Sequence, residues 1–252
     1  MRENTVQSVD RALQLIDVVS QHRNGCGVTE LANALDISKA TVFRLVSSLV
    51  NYGYIEQHPI TKSYKLGYKL LELNTRLLDS IDLRTQALPF LRELEELSNE
   101  VIHLVVPNGG EVVYIEKLEG NETLRMHSQV GKRAPMHCTG VGKVILAYMP
   151  DTIVKKIVKE KGLPKITIHT IDNEKALILE LEKIRKQGYG FDLEENEIGI
   201  SCIAAPIFNH NGDITAALSI SGPTLRMTDE KMENLRETIV KTCSQISKRL
   251  GF

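Results

Sequence analysis

Residues 28–55 read VTELANALDISKATVFRLVSSLVNYGYI, and this stretch decides the fold of the N-terminal part of the chain. Thr29 is a hydroxyl placed to cap a helix whose Leu31, Ala32 and Leu35 point one way, and Asp36-Ile37 breaks that helix before Ser38 caps the next. The next helix carries Val42, Leu45, Val46 and Leu49 at i, i+3, i+4 and i+7, one apolar face for one core. Two helices joined by so short a turn are the outline of a helix-turn-helix. Upstream, Val9, Leu13, Ile16 and Val19 give residues 8–22 a helical period with one inward face, which Asn24-Gly25 stops. Downstream of Gly53, Tyr54-Ile55-Glu56 and Ser63-Tyr64-Lys65-Leu66 flank the turn-forming His58-Pro59-Ile60-Thr61-Lys62, and Gly67 closes the hairpin. Residues 1–66 therefore read as a winged helix-turn-helix.

In such a module the second helix of the pair enters the major groove, so its exposed N-terminal residues meet base edges and phosphates. Here those are Ser38, Lys39, Ala40, Thr41 and Arg44: two cations, two short hydroxyls and one side chain small enough for close approach. His58 and Lys62 at the wing tip, with Thr61 between, add minor-groove or phosphate contacts. The charge balance argues the other way. Arg2, Arg11, Arg23, Lys39, Arg44, Lys62 and Lys65 against Glu3, Asp10, Asp17, Glu30, Asp36 and Glu56 leave one net positive charge. A winged helix that contacts protein, with Lys39 and Arg44 merely solvated, is the competing reading.

Beyond Gly67, Leu70, Leu73, Leu77 and Ile81 are nearly heptad-spaced and read as a linker helix over 67–83, followed by a helical piece around 88–97. Strand-like runs at 101–106, 111–118, 123–128, 202–208 and 214–221 mix with a helix from Gly140 to Tyr148, two further helices, and a capped helix from Thr228 to Leu250. Mixed rather than alternating elements predict an α+β domain with an antiparallel sheet over 84–252. With 31 basic against 32 acidic residues, no global charge advertises a nucleic acid or a membrane surface, so any DNA contact must be local. No apolar run approaches a membrane span, Cys26, Cys138, Cys202 and Cys243 form no C-x-x-C pair, and the first residues lack a basic then apolar leader pattern. The expected location is the cytoplasm.

The motifs taken together resemble the IclR family of bacterial transcriptional regulators along nearly the whole chain. SVDRALQLIDVV, VTELANALDISKATVFRLVSSLVNYGYI and YKLG carry the resemblance in the N-terminal part, and HCTGVGKVILA, GYGFDLEENEIGISCIAAPIF and AALSISGPTLR in the C-terminal part. EVIHL, VVYIEKL, LRMHSQVGKRAPMHCTGVGKVILA and LSISGPTLR are most similar to the pectin-degradation regulators that respond to 2-keto-3-deoxygluconate. The resemblance implies a winged-helix DNA-binding domain, a linker helix and a C-terminal GAF-like domain that binds a small organic acid. It implies double-stranded operator DNA as partner, a homodimer or dimer of dimers, no cofactor and a repressor of a carbohydrate or organic-acid catabolic operon. The alternative is a DNA-binding regulator whose C-terminal domain only mediates oligomerisation or protein contacts.

Effector contacts follow from the resemblance at Gly140, Val141, Asp192, Cys202, Ser219 and Ser221, and the local chemistry agrees at two of these places. A helix that opens with Gly140-Val141-Gly142 offers free N–H groups and a positive dipole end to a carboxylate, with two glycines letting a ligand approach. Alternation in Leu218-Ser219-Ile220-Ser221 puts both hydroxyls on one strand face. For a sugar acid, Asp192 accepts hydrogen bonds from ligand hydroxyls, Ser219, Ser221 and the helix end hold the carboxylate and keto group, and Met126 supplies an apolar wall. The plainer readings are glycines that only permit helix–sheet packing, an Asp192 that caps a turn, an inert buried Cys202 and serines bonded to backbone. Glu194, Glu195 and Glu197 read as solvated charges.

Three other chemistries fail on pattern. Gly142-Lys143 resembles a phosphate loop, but His137 stands where its first glycine belongs and Val144 where Ser or Thr belongs. His103, His137, Asp192 and Cys202 are metal-ligand types without metal-ligand spacing, and no third group orients Cys138 or Cys202 with His137 into a thiol catalyst. Neither an enzyme nor a metal site is expected.

Overall fold

The computed structural model describes residues 5–73, 82–120 and 128–252. The chain divides into two compact units, Met1–Ile81 and Asp82–Phe252.

In the first unit, α1 (Gln7–Ser20), α2 (Val28–Leu35) and α3 (Lys39–Asn51) precede a hairpin of β1 (Ile55–Gln57) and β2 (Tyr64–Leu66). Leu15, Val19, Leu31, Val42, Val46, Ile55 and Tyr64 form its core. The connection between α2 and α3 is set by two local devices. Asp36 ends α2 in the left-handed conformation with φ 49°, and the Ser38 hydroxyl accepts the Thr41 N–H at 3.2 Å to open α3. Two expectations need correction. Thr29 lies inside α2; its N-cap is Gly27, whose own N–H is taken by the Glu30 carboxylate at 2.7 Å, so the acidic residue of the first turn does the capping. The buried row of α1 is Leu15 and Val19 with Ile16 beside it, while Val9 and Leu13 remain more than half exposed, because at about 100° per residue Leu13 points roughly 200° away from Leu15. The wing is antiparallel, pairing Ile55 with Leu66 and Gln57 with Tyr64. Gly67 closes it by close approach: a Cβ there would sit 2.1 Å from the Gly53 carbonyl oxygen.

Residues 69–73 are helical, and the rest of the expected linker helix falls mostly on 74–81, outside the described residues. The second unit opens with α4 (Leu83–Ser98), whose first turn is capped by the Asp82 carboxylate, and continues with β3 (Val101–Asn108), β4 (Glu111–Leu118) and β5 (Arg133–Pro135). Then come α5 (Gly140–Tyr148), α6 (Asp151–Lys161), α7 (Glu174–Gln187), β6 (Gly190–Leu193), β7 (Ile200–Phe208), β8 (Ile214–Pro223) and α8 (Asp229–Arg249). The six strands form one sheet in the order β5-β4-β3-β8-β7-β6, every pairing antiparallel. The α+β class with an antiparallel sheet is therefore the observed fold. Short β5 and β6 at the two edges were not anticipated, and the expected strand at 123–128 falls on residues outside the description except Ser128, which is not in a strand.

The central strands are buried on both faces. Val105, Ala204 and Ala217 turn toward a cluster built from α5, α6 and α7, with Val144, Ile145, Val154, Leu177 and Ile184. Alternation leaves Ile203, Ile207, Leu218 and Ile220 for the other face, where α4 and α8 belong. Burial on both faces explains why these strands read as nearly continuous apolar runs. The polar residues His103, Ser219 and Ser221 that interrupt them, and Asp192 on edge strand β6, are each under a tenth exposed.

Candidate functional site

Strand register gathers those interruptions. Asp192 on β6 stands opposite Cys202 on β7, which stands opposite Ser221 on β8. One row over, Ala204 stands opposite Ser219, and Ser219 opposite His103 on β3. Two adjacent rows on one face thus carry the polar groups of a cleft of about 210 Å³, closed at one end by the head of α5.

The head of α5 is built by Thr139. Its hydroxyl accepts the Gly142 N–H at 3.2 Å and donates to the Pro135 carbonyl at 2.7 Å, and its carbonyl takes the Lys143 N–H. The first-turn N–H groups outside this cap belong to Gly140 and Val141, both of which line the cleft. Gly140 is required sterically, since a Cβ there would come within 2.8 Å of the Cys202 sulfur. Gly142 serves a different purpose from the one expected. It lies against the Met136 backbone, where a Cβ would approach to 2.4 Å, and it does not line the cleft.

Asp192 combines two of the readings set out above. One carboxylate oxygen accepts the Glu195 N–H at 2.7 Å and the Asn196 N–H at 3.4 Å, holding the turn after β6, while the residue also lines the cleft. Burial pushes its carboxyl up to about 7, with the Glu195 charge adding and Lys143 opposing. Glu195 is not the solvated charge expected. It is buried, ion-paired with fully buried Lys143, and its second oxygen has no partner among the described residues. The carbonyls of Glu194 and Glu195 accept the hydroxyls of Thr167 and Thr170, at 2.7 and 2.6 Å, which anchors the same turn. Burial raises the thiols of Cys138, to about 12, and Cys202. A thiol held protonated is the opposite of an activated nucleophile.

Sequence reasoning placed His103 only among candidate metal ligands, and missed Tyr114, Lys132 and Arg133; all four line the cleft. His103 Nε2 is 2.7 Å from the Ser128 hydroxyl, its Nδ1 is 3.3 Å from Ser221 Oγ and 3.4 Å from Ser219 Oγ, and the two serine oxygens are 3.1 Å apart. The ring packs edge-on to Tyr114 at 5.0 Å. Burial, with the Lys117 charge behind it, lowers the imidazole to about 3, so it is neutral. A histidine inside an apolar strand was the available signal; its partners across the ladder were not. His137 lies elsewhere, with Nε2 at 3.0 Å from the Pro164 carbonyl. Met126 lies outside the described residues. Among the described residues, no three His, Cys, Asp or Glu side chains converge as a metal cluster.

The winged unit presents a different surface. Lys39, Ala40 and Arg44 are exposed on α3, Ser38 is exposed and Thr41 half-buried, their hydroxyl oxygens 3.0 Å apart. Lys39, Arg44 and Lys62 have no ion-pair partner among the described residues. Phe43, also exposed on α3, was not anticipated. His58 shapes the wing tip: its Nδ1 accepts the N–H groups of Ile60 and Thr61, at 3.3 and 3.2 Å, and its carbonyl accepts the N–H of Lys62, which adopts φ 59°.

Residues 8–59 match the IclR helix-turn-helix domain, and residues 75–248 match the bacterial transcriptional regulator IclR C-terminal family. The chain is 36% identical over 247 residues to the HTH-type transcriptional regulator XynR of Escherichia coli K12, covering 98% of each. It is 36% identical over 249 residues to KdgR of the same organism, covering 99% of this chain and 94% of that one. Among solved structures, the Agobacterium tumefaciens repressor BlcR superposes with a TM-score of 0.86 at 25% identity, covering 98% of both chains. These relatives are regulators rather than enzymes, and no described helix is long and apolar enough to cross a membrane. With both halves of its fold matched, the chain belongs to the IclR family of bacterial transcriptional regulators.

Proposed function

We propose that this regulator is a repressor of a carbohydrate or organic-acid catabolic operon and that its effector is a keto sugar acid of the 2-keto-3-deoxygluconate class. Residues 1–66 serve as the DNA-binding module, 67–83 as the connecting helix and 84–252 as the effector module, in a homodimer or dimer of dimers. Ser38, Lys39, Ala40, Thr41 and Arg44 address operator DNA from α3, with His58 and Lys62 on the wing. The exposure of all of these but half-buried Thr41, and the unpaired state of the three cations among the described residues, support that reading.

The observation that carries the effector reading is the convergence of the α5 head with Asp192, Ser219 and Ser221 on one cleft. Hydrogen-bonding hydroxyls and a helix N-terminus suit a carboxylate, and the lining also carries Lys132 and Arg133, the second shared with Glu111 at 3.6 Å, against the charge of Glu197. Asp192, largely protonated below pH 7, can meet such an anion without repelling it. The 36% identity to KdgR supports the sugar-acid class. An acid that binds two arrangements of the oligomer unequally shifts operator affinity by that difference. Thermal-shift titration with 2-keto-3-deoxygluconate, pyruvate and glyoxylate tests the cleft: one acid raises Tm in the wild type and fails to do so in Asp192→Ala. An unchanged Tm with every acid, or the same shift in the variant, contradicts the assignment.

A further inference from the structure

Three hydroxyls meet one neutral ring at the floor of the cleft, and their protons cannot be arranged freely. A neutral imidazole carries one N–H, and each serine hydroxyl carries one proton. Consider first the form with the proton on Nε2. It donates to Ser128 Oγ, and Nδ1 must then accept, from Ser221 at 3.3 Å or Ser219 at 3.4 Å. One serine proton is thereby spent on the ring, and the other can close the 3.1 Å contact between the pair, with the Cys202 thiol also beside Ser221 across the ladder. With that contact closed, the pair turns lone pairs to the cleft. A carboxylate placed there is repelled; a ligand hydroxyl is accepted.

The other form reverses the chain. With the proton on Nδ1, the ring donates to a serine oxygen, Ser128 turns its hydroxyl to donate to Nε2, and at least one of Ser219 and Ser221 has a proton to offer the cleft. The same side chains at the same distances become donors to an anion. The interconversion removes one proton from Nε2 and adds one to Nδ1, so it changes neither the ring's charge nor the protein's proton count.

We propose that His103 is a positioning residue for the effector, and that the carboxylate-bound state selects the Nδ1–H tautomer, because that form releases the serine proton that Nδ1 otherwise takes and so gives the Ser219–Ser221 pair one more donor for the anion. The inference rests on the reading of the cleft as an acid site. It adds a selectivity rule: an acid is held as a donor-requiring ligand, and its neutral amide or alcohol analogue does not impose the same tautomer. The ring stays uncharged throughout, since burial and Lys117 hold it far below its usual range.

The test is a long-range proton–nitrogen correlation on the full chain with 15N-labelled histidine, the His103 signals being identified by their loss in His103→Asn. Spectra are taken with saturating glyoxylate, pyruvate or 2-keto-3-deoxygluconate, and thermal shift on the same samples reports which acid is bound. With the bound acid, Nδ1 reads as the protonated and Nε2 as the bare nitrogen. An acid-bound sample with the proton on Nε2, or with both nitrogens protonated, overturns the inference while leaving the acid site intact. Absence of binding by every acid overturns the acid site and the inference with it. A functional readout runs beside it: His103→Asn keeps a donor near the Nδ1 position and holds acid affinity within about threefold, while His103→Leu loses about tenfold or more, the scale of one lost hydrogen bond. Equal losses in both variants, with both folded by circular dichroism, also count against it.

Discussion

The exposed face of α3 and the cleft beneath α5 are both polar, and they are built on opposite principles. Lys39, Arg44 and Lys62 stand in water with no ion-pair partner among the described residues, on a scaffold whose stability comes from the other side of the helices. Asp192, His103, Ser219 and Ser221 are buried, and each is hydrogen-bonded to a neighbour. Solvated groups are replaceable without harm to the fold, whereas a buried polar group left without its partner costs the full desolvation of what remains. The winged surface should therefore separate binding from stability, and the cleft should not.

The largest effect that sharpens this contrast is at Lys143. Lys143→Met leaves Glu195 buried without its cation and is expected to cost about 3–5 kcal/mol, read by chemical denaturation of the second unit. Lys39→Ala should stay within about 0.5 kcal/mol of wild type in the same measurement. Equal losses from the two would erase the distinction.

Next in size, Arg44→Ala is expected to weaken operator binding by about 1–3 kcal/mol with Tm and acid binding unchanged. Loss of acid binding in the folded variant would mean that the two surfaces are not separate sites.

The pH dependence comes third. Burial raises the Asp192 carboxyl to about 7, so its charged form is disfavoured in the fold. The stability contributed by the protonated form is present below the ordinary carboxylate range and is lost as pH rises through about 7, and Asp192→Asn should flatten that loss. For an anionic effector the sign is the same: affinity is highest below pH 7 and falls by about tenfold per unit above it, as Asp192 ionises beside the bound carboxylate. Calorimetric titration from pH 6 to 9 checks this, and a slope retained in Asp192→Asn would assign the proton to another group.

The smallest effect belongs to the wing. Lys62→Ala should lower the salt dependence of DNA binding by about one unit of slope, measured by titration at several salt concentrations, with little change in sequence preference. An unchanged slope would take Lys62 off the phosphates.

The same contrast governs what could be read from residue order. The helix-turn-helix is local: Ser38 caps the helix it precedes, Asp36 ends the helix before it, and the apolar period of α3 spans its own core face, so neighbours in sequence decide it. The start of α5 and the shared face of Ser219 and Ser221 were legible for the same reason. The pairing of His103 with those serines was not, because it depends on the register of strands more than a hundred residues apart. Glu195 looked like one of a run of solvated acids, and only the turn after β6 shows that it is folded inward onto Lys143. On α1 the period was right and the face was wrong, since apolar residues occupy more than one side of this helix and periodicity cannot say which side finds a partner. Strands β5 and β6 are three and four residues long, too short for an alternation to register.

Occupation of the cleft by an acid is expected to change the affinity of the chain for DNA. The direct measurement is a fluorescence-anisotropy titration of the full protein on DNA from its own upstream region, with and without saturating 2-keto-3-deoxygluconate, pyruvate or glyoxylate. A salt-sensitive, sequence-selective complex is expected, whose Kd shifts by about 5- to 150-fold with one acid, the usual range of a coupling energy, and does not shift in Asp192→Ala. Specific DNA binding that none of the acids alters would contradict it.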